Sequence, residues 1–548
     1  MGNRMRAITR YWHTLRYVPF GRLISRTLFP LRRKLAVARV ASGRKEYRPG
    51  RPLEPFWPRH EKARMLELAT HRFTLLNESH AFGAKVDWRA PAMSALWQFN
   101  LNYFEFVHEL AAEDATALCR DWIDSNPPGT EPAWHPYPTS LRIINWCKFG
   151  FEDETVARSL FDQLNFLYRF CETHLGGNHL LENARALVFG AAFFETSPMA
   201  EKWMSRALEI YRQQVPIQIL TDGGHYERSP MYHAIVLEGF VDVCQLVGGS
   251  GPIAEVLVPM LDGMVQYLSA MTHPDGSLAL FSDAANGIAL PPAILLPYAR
   301  QVATGPELQR AQFPATGYHT FSGSAFHVII DAGPIGPDDL PAHGHADTFS
   351  FELSASGRQF VVDSGVFDYN ASEMREYCRS TRCHNTVSVD DVSQAECWGA
   401  FRVARRFPPV DVYTDETGSG FQFSGSFDGF ADLIGDDLLH KREVIIDDVA
   451  QVMQVRDRIS GSGKHFFTSR IHLHPEVALS EKDDELQLQR GDCILRFRTE
   501  SGYSIEDSWY CPEFGKRVAN KVICLTAQLP TSEISYELSL SSKPAAHK

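Results

Sequence analysis

From about residue 55 to residue 310 apolar residues recur every three or four positions. Leu96, Phe99, Tyr103, Phe106 and Leu110 make one such stripe, the mark of an amphipathic helix. Leu141, Ile143, Ile144 and Trp146 start another, with Thr139 and Ser140 before them as N-cap candidates. Further helices are predicted over 155–174, 180–195, 199–214, 230–247 and 253–271, separated by turns rich in Gly, Pro and Asn. Ala303-Thr304-Gly305-Pro306 and Pro314-Ala315-Thr316-Gly317 read as a linker. Beyond it the period drops to two, over Phe326–Asp331, Gln359–Asp363, Thr386–Asp390, Arg442–Asp447, Gln451–Val455 and His465–His474. The pattern predicts an α+β chain, a helical toroid or bundle followed by an antiparallel β-sandwich.

Composition adds a third part. Residues 1–51 hold fourteen Lys or Arg against the single acid Glu46. That surplus of thirteen leaves about −25 to the rest of a chain whose net charge is −12. Domains are therefore expected at 1–54 (a basic extension), 55–310 and 317–548. Arg22, Arg26 and Arg32 interrupt every apolar run that could serve a secretory signal. No run is long enough to span a bilayer. A cytoplasmic or membrane-peripheral location is expected over a secreted one, with the basic segment able to touch an anionic surface such as a membrane or a polysaccharide. No nucleic-acid partner is expected. The ten cysteines show no disulfide framework.

Three stretches carry candidate chemistry. In Gly176-Gly177-Asn178-His179-Leu180-Leu181-Glu182-Asn183, a glycine loop runs into a helix, where free N–H groups favour an anionic ligand. In Asp222-Gly223-Gly224-His225-Tyr226-Glu227-Arg228-Ser229-Pro230-Met231-Tyr232-His233, Ser229-Pro230 is a helix start that places Tyr232 in the first turn. The helix end, with Arg228 nearby, would lower the phenol pKa and suit Tyr232 to acid–base work. The third is His343-Gly344-His345-Ala346-Asp347 with the alternating strand after it, Phe349, Phe351 and Leu353 on one face, Ser350 and Glu352 on the other. Gly344 would let a ligand approach the backbone. A turn at 354–358 returns the chain to Asp363, and Arg382-Cys383-His384 enters another strand. His345, Asp363 and His384 make a sensible zinc site, with Asp347 and Cys383 as competing ligands. Trp134 and His135 could form a sugar platform, with Arg142 one turn on; Glu227 and Arg228 are further binding candidates. Trp88 and Trp97 read as core, and His472 and His474 as surface residues.

These stretches, in this order on these two kinds of domain, resemble the heparinase II/III family of polysaccharide lyases, which is close to the exolytic alginate lyases. The resemblance runs from roughly 90 to 400 and implies an incomplete (α/α) toroid, a β-sandwich and a cleft between them. It implies that Asn178, helped by His179, neutralises a uronate carboxylate, and that Tyr232 and His343 are the acid–base pair. It also implies one structural zinc per chain on His345, Asp363 and His384, fixing the neighbouring His343. The expected reaction is β-elimination in an acidic polysaccharide, where donors to the carboxylate stabilise the enolate-like intermediate. A glycoside hydrolase using two of Asp222, Glu227 and Glu182, or a non-catalytic binder of acidic polysaccharide in exopolysaccharide production, are the rival readings.

Overall fold

The structure, a computed structural model, describes residues 2–54, 57–58, 65–306, 310–482, 485–529 and 533–541, and their side chains except at 2–7 and 41–43. The expected limits at 55 and 548 fall outside these. A small three-stranded sheet (66–81) separates three N-terminal helices from those of the toroid. Helix Gly177–Phe193 lies at the centre of the helical domain, against Pro136–Phe149, Pro198–Gln218 and Pro230–Leu246. Fifteen of its residues are buried; only His179 and Ala192 are not. A helix buried on every side is a core element, so its half-exposed histidine marks where the domain opens.

Local chemistry moved several helix ends. The stripe from Leu96 to Leu110 is not one helix: Ala95–Leu101 stops, Phe104 takes a left-handed φ of 62°, and a 3-10 turn covers Glu105–Glu109. After a helix at Ala112–Ser125, the helix expected after Ser140 starts at Pro136 instead, because Pro favours the first helical position and His135 Nδ1 accepts the Tyr137 N–H at 3.4 Å. Ser229 caps its helix as expected, its Oγ accepting the Tyr232 N–H at 3.3 Å.

From residue 312 the described strands pair antiparallel, in sheets of five, eight and four strands around a second apolar core, with a two-stranded ribbon of Cys397–Trp398 and Arg402–Val403 beside them. The strand Phe351–Ala355 pairs with Arg358–Val361 through the expected turn. Its polar face does not meet water. Glu352 and Ser354 are buried and both hydrogen bond His273 of the helical domain; Glu352 also accepts the Leu280 N–H at 2.9 Å. The polar side of this strand is the joint between the domains. His472 likewise is buried, its ring held by Ser508 and the Arg382 carbonyl. Among the described residues no helix is long and apolar enough to cross a membrane.

Candidate active site

A cavity of about 700 Å³ lies where the helical domain meets the β domain. His135, Tyr137, Glu172, His174, His179 and Tyr232 line it from the helices, and His343, Tyr369, Phe401 and Phe514 from the β side.

Each wall presents a histidine leaning on a buried carboxylate. On the helical wall His179 stacks on Tyr137, ring centroids 4.0 Å apart, and its Nδ1 lies 3.1 Å from Glu172 Oε1. Burial alone would push Glu172 up, but His179, His135 and the Asn183 amide pull it down to about 2. Burial works against the His179 cation, and Glu172, with Glu227 behind it, overcomes that and raises its pKa. With Nδ1 on Glu172, Nε2–H is the donor His179 has left.

On the β wall His343 Nδ1 lies 2.9 Å from Asp283 Oδ2. Asp283 is fully buried; Arg375 grips both its oxygens, with Nη2 to Oδ2 at 2.8 Å. Against the penalty of burial, Arg375 first and then His343 and His345 hold Asp283 well below the usual carboxylate range. A carboxylate accepting from Nδ1 leaves Nε2 as the open lone pair of a neutral imidazole. The His343 ring packs on Tyr232 at 4.1 Å. The Tyr232 hydroxyl is 2.9 Å from that of Tyr369. Burial, then Tyr369 and Asp283, push the Tyr232 phenol well above its ordinary value. This reverses the lowering expected from the helix end. Arg228 does not help: its guanidinium donates to the carbonyls of Thr316, Tyr226 and Ala315 instead.

Behind His343 a second cluster is buried. His345 Nε2 takes the other oxygen of Asp283 at 2.9 Å, and its Nδ1 has no hydrogen-bond partner. Burial holds His345 down to about 4, so the ring is neutral. Asp347 Oδ2 is also buried and unpartnered. His345, Asp347 and His384 each bring one donor atom within 4.8 Å of the others. Two orphaned buried donors beside a third are what a cation would satisfy, and two imidazoles with one carboxylate suit a transition-metal ion such as zinc. Asp363 stands one step back. Its Oδ2 takes His384 Nδ1 at 2.7 Å and its Oδ1 the Gly365 N–H at 3.0 Å. Asp347, two residues after His345, closes the triangle where Asp363 was expected.

Residues 59–290 match the heparinase II/III N-terminus and residues 305–539 the heparinase II/III-like C-terminal domain. The chain belongs to the heparinase II/III family. It is 24% identical over 350 residues to a heparin-sulfate lyase of Pedobacter heparinus, covering 56% of this chain and 52% of that one. It is 25% identical over 359 residues to a Caulobacter vibrioides protein named FtsZ-localized protein C, covering 62% and 61%. The chain spans about half the length of the curated lyases it matches. A heparinase III crystal structure superposes with a TM-score of 0.62 at 18% identity, over 81% of this chain and 76% of that one. A Pedobacter heparinus heparan sulfate lyase gives 0.60 at 17%, over 94% and 89%. These share the fold, a toroid followed by β-sheets.

Within this heparinase II/III fold not every expected residue reaches the cavity. Trp134 is core: it packs on Trp122 and Phe166, with Nε1 on the Asn126 carbonyl. Arg142 is fully buried over the Trp122 ring and donates to Gln163 and the Asn102 carbonyl. Neither can be a sugar platform, because each spends its polar atoms inside. His135 does line the cavity. Asn178 and Glu227 sit beneath it as a pair, the Asn178 N–H and Nδ2 each donating to Glu227 at 2.9 Å. Gly177, at φ +62°, allows this approach, since a Cβ there would lie 2.5 Å from Glu227 Oε1. Glu227 Oε2 is 3.7 Å from His343 Nε2. Gly344 has another cause than ligand access: a Cβ would strike the Ile335 carbonyl at 1.8 Å. The hydrolase reading fails on position. Asp222 ties down Thr316 and Glu182 pairs with Arg185, and neither they nor Glu227 line the cavity.

Sequence reasoning missed Glu172, Asp283, Tyr369 and Arg375. None stands in a motif. Asp283 follows Ser282, whose left-handed φ of 56° belongs to the folded chain and leaves no mark in the sequence.

Proposed function

We propose that this heparinase II/III chain is a polysaccharide lyase that cleaves a uronic-acid-containing glycan by β-elimination. The observation that carries this is the pairing of unlike groups at one point of the cavity: a histidine with its Nε2 lone pair open, packed on a tyrosine that burial keeps protonated. His343 Nε2 takes the C5 proton. The C5–H electrons form the C4–C5 double bond, the C4–O bond breaks, and the leaving oxygen takes the Tyr232 proton. Tyr369, 2.9 Å away, donates a hydrogen bond to the phenolate as it forms, and the proton that His343 took from C5 returns through solvent to Tyr232, restoring both groups. No water is consumed. The imidazolium of His179 holds the uronate carboxylate from Nε2–H and stabilises the enolate-like intermediate. Asn178 acts from beneath the cavity by fixing Glu227, the carboxylate that stands behind His179 and helps keep it charged.

Zinc is the ion we assign to His345, Asp347 and His384, with Asp363 orienting His384 from behind. Bound there, it supplies a fixed positive charge that holds the β-wall loop. The proton-moving work belongs to His343 and Tyr232.

The charge on the walls narrows the substrate. Lys148 and Arg185 line the cavity, yet both are committed to the buried Asp242, Lys148 at 2.7 Å. Glu105, Glu172, Glu238 and Glu513 line it too. Such a cavity suits a polymer with a carboxylate on the cleaved sugar and few or no sulfates, since each sulfate would need its own cation.

Incubation with alginate, unsulfated glucuronate polymers and heparan sulfate, read by ultraviolet absorbance of the new double bond, tests this. Unsaturated product is expected from an unsulfated polymer. New reducing ends without absorbance, or binding without product, would overturn it. In deuterated water Tyr232→Phe should still exchange the C5 hydrogen while losing cleavage, and His343→Ala should lose both. The opposite outcome would exchange the two roles.

A further inference from the structure

The N-terminal helices Gly2–Leu15, Phe20–Thr27 and Phe29–Ala38 hold an apolar surface that the lyase reading does not use. Nine of the nineteen large hydrophobic residues exposed among the described ones fall between residues 8 and 35. Phe20 is 76% exposed and Trp12 65%. Phe20, Ile24, Leu28, Leu31 and Leu35, all exposed, recur at steps of four, four, three and four, so they form one stripe along two consecutive helices. Helix Phe20–Thr27 buries none of its residues and Phe29–Ala38 only Ala36. Exposed Arg10, Arg16, Arg26 and Lys34 stand among these residues, and no acid occurs before Glu46.

The opposite side of the same helices is tied to both domains. Arg22 pairs with Asp339 at 2.9 Å, in the loop that leads to His343. Arg33 pairs with Glu131 at 2.6 Å, the Phe29 ring lies 4.6 Å from that of His174 at the cavity, and Tyr11 packs on Trp398 at 4.9 Å. The helices are therefore held in place with an apolar and basic face turned outward. A monomeric soluble surface rarely keeps so large an apolar patch uncovered.

We propose that this face docks on an anionic lipid bilayer, the apolar stripe entering the headgroup boundary and the arginines and lysine meeting lipid phosphates. Charge complementarity singles out an anionic partner. The stripe singles out lipid among anionic partners, because an acidic polysaccharide would satisfy the cations and leave Phe20, Ile24 and Leu31 in water. Parallel amphipathic faces with Lys and Arg beside Trp, Phe and Leu are the chemistry of interfacial helices. Because Phe29 packs on His174 at the cavity, docking would hold the cleft close to the membrane surface.

The test is co-sedimentation of the full chain with phosphatidylcholine vesicles, with and without phosphatidylglycerol, at low and high salt. Binding is expected only with phosphatidylglycerol, weakening as salt rises, and accompanied by a blue shift in tryptophan emission. Phe20→Glu with Ile24→Glu should lower the bound fraction at least tenfold, with the thermal midpoint and far-ultraviolet circular dichroism unchanged. Reversing Arg10, Arg16, Arg26 and Lys34 to Glu should do the same. No binding to anionic vesicles would overturn the proposal. So would binding that survives the Phe20 and Ile24 changes, or sizing that shows the stripe closing a dimer of this chain. Capture by an acidic polysaccharide that resists those two changes, without vesicle binding, would assign the basic face to glycan instead.

Discussion

His179 and His343 both rest a ring nitrogen on a buried carboxylate, Glu172 at 3.1 Å and Asp283 at 2.9 Å, yet the two carboxylates have different company. Glu172 is bonded to His179 and Asn183, and among the described residues no Arg or Lys bonds it. Its charge is answered by the histidine, which is driven toward imidazolium. Asp283 already has Arg375 on both oxygens, so its histidines need bring no charge. They bring N–H groups, and Asp283 aims the ring of His343. The same pair of residue types thus stands in two settings, Glu172 answered by histidine and Asp283 answered already by an arginine. For an elimination that must both steady a carboxylate and remove a proton beside it, that asymmetry is the needed one.

The largest expected effect comes from breaking the β-wall pair. Asp283→Asn replaces one of the two acceptor oxygens shared by His343, His345 and Arg375 with an NH2 donor, which misorients His343, and leaves Arg375 buried without a counter-charge. Turnover should fall on the order of 10³–10⁴-fold, as when a histidine base loses its orienting carboxylate. Stability should fall by about 3–5 kcal/mol, the range for a buried pair stripped of one partner. Product absorbance and thermal unfolding, measured on one preparation, check both. Turnover within tenfold of the parent would show that Asp283 does not aim the base.

Much of this was legible beforehand. The switch of period near residue 310 separates helices from strands because burial on one face imposes 3.6 or 2 whatever the tertiary context. His343, His345, Tyr232 and the Asn178-His179 pair stand in local motifs, and local motifs can be read. The carboxylates that set their charge could not be. Glu172 meets His179 from seven residues away, and Asp283 meets His343 from sixty, across a domain joint that only the packed chain creates. Tyr232 was misjudged for the same reason: the helix end is visible in Ser229-Pro230, while the burial that outweighs it is not. Trp134 and Arg142 looked like sugar-binding residues because aromatic and cationic side chains serve a core as well as a cleft, and a fully packed Arg over Trp122 has no signature of its own.

A smaller effect separates the two aspartates behind the β wall. Asp347→Asn should abolish retention of zinc through gel filtration, whereas Asp363→Asn, which only loosens His384, should weaken affinity roughly 10–100-fold. Metal content by mass spectrometry and a competition titration with a chelator read this without any activity assay. Full zinc retention in Asp347→Asn together with loss in Asp363→Asn would return the ligand role to Asp363. His343 should keep its place in both variants, because Asp283 rather than the metal holds its Nδ1.

The smallest effect is the most specific to the helical wall. Glu172→Gln leaves a side chain that can still bond His179 but no longer carries the charge that raises its pKa. The His179 cation is present below its raised pKa and is lost as pH climbs through it. If that cation holds the substrate carboxylate, kcat/KM declines on the alkaline side as His179 deprotonates. Removing Glu172 lowers the His179 pKa, so the alkaline limb should move to lower pH while the acid limb stays where it is. The loss should fall mainly on KM at neutral pH, because His343 and Tyr232 are untouched. Asp283→Asn should instead lower kcat at every pH without moving that limb. A Glu172→Gln profile that merely scales down, with its alkaline limb in place, would mean that the charge on His179 is not what the substrate meets.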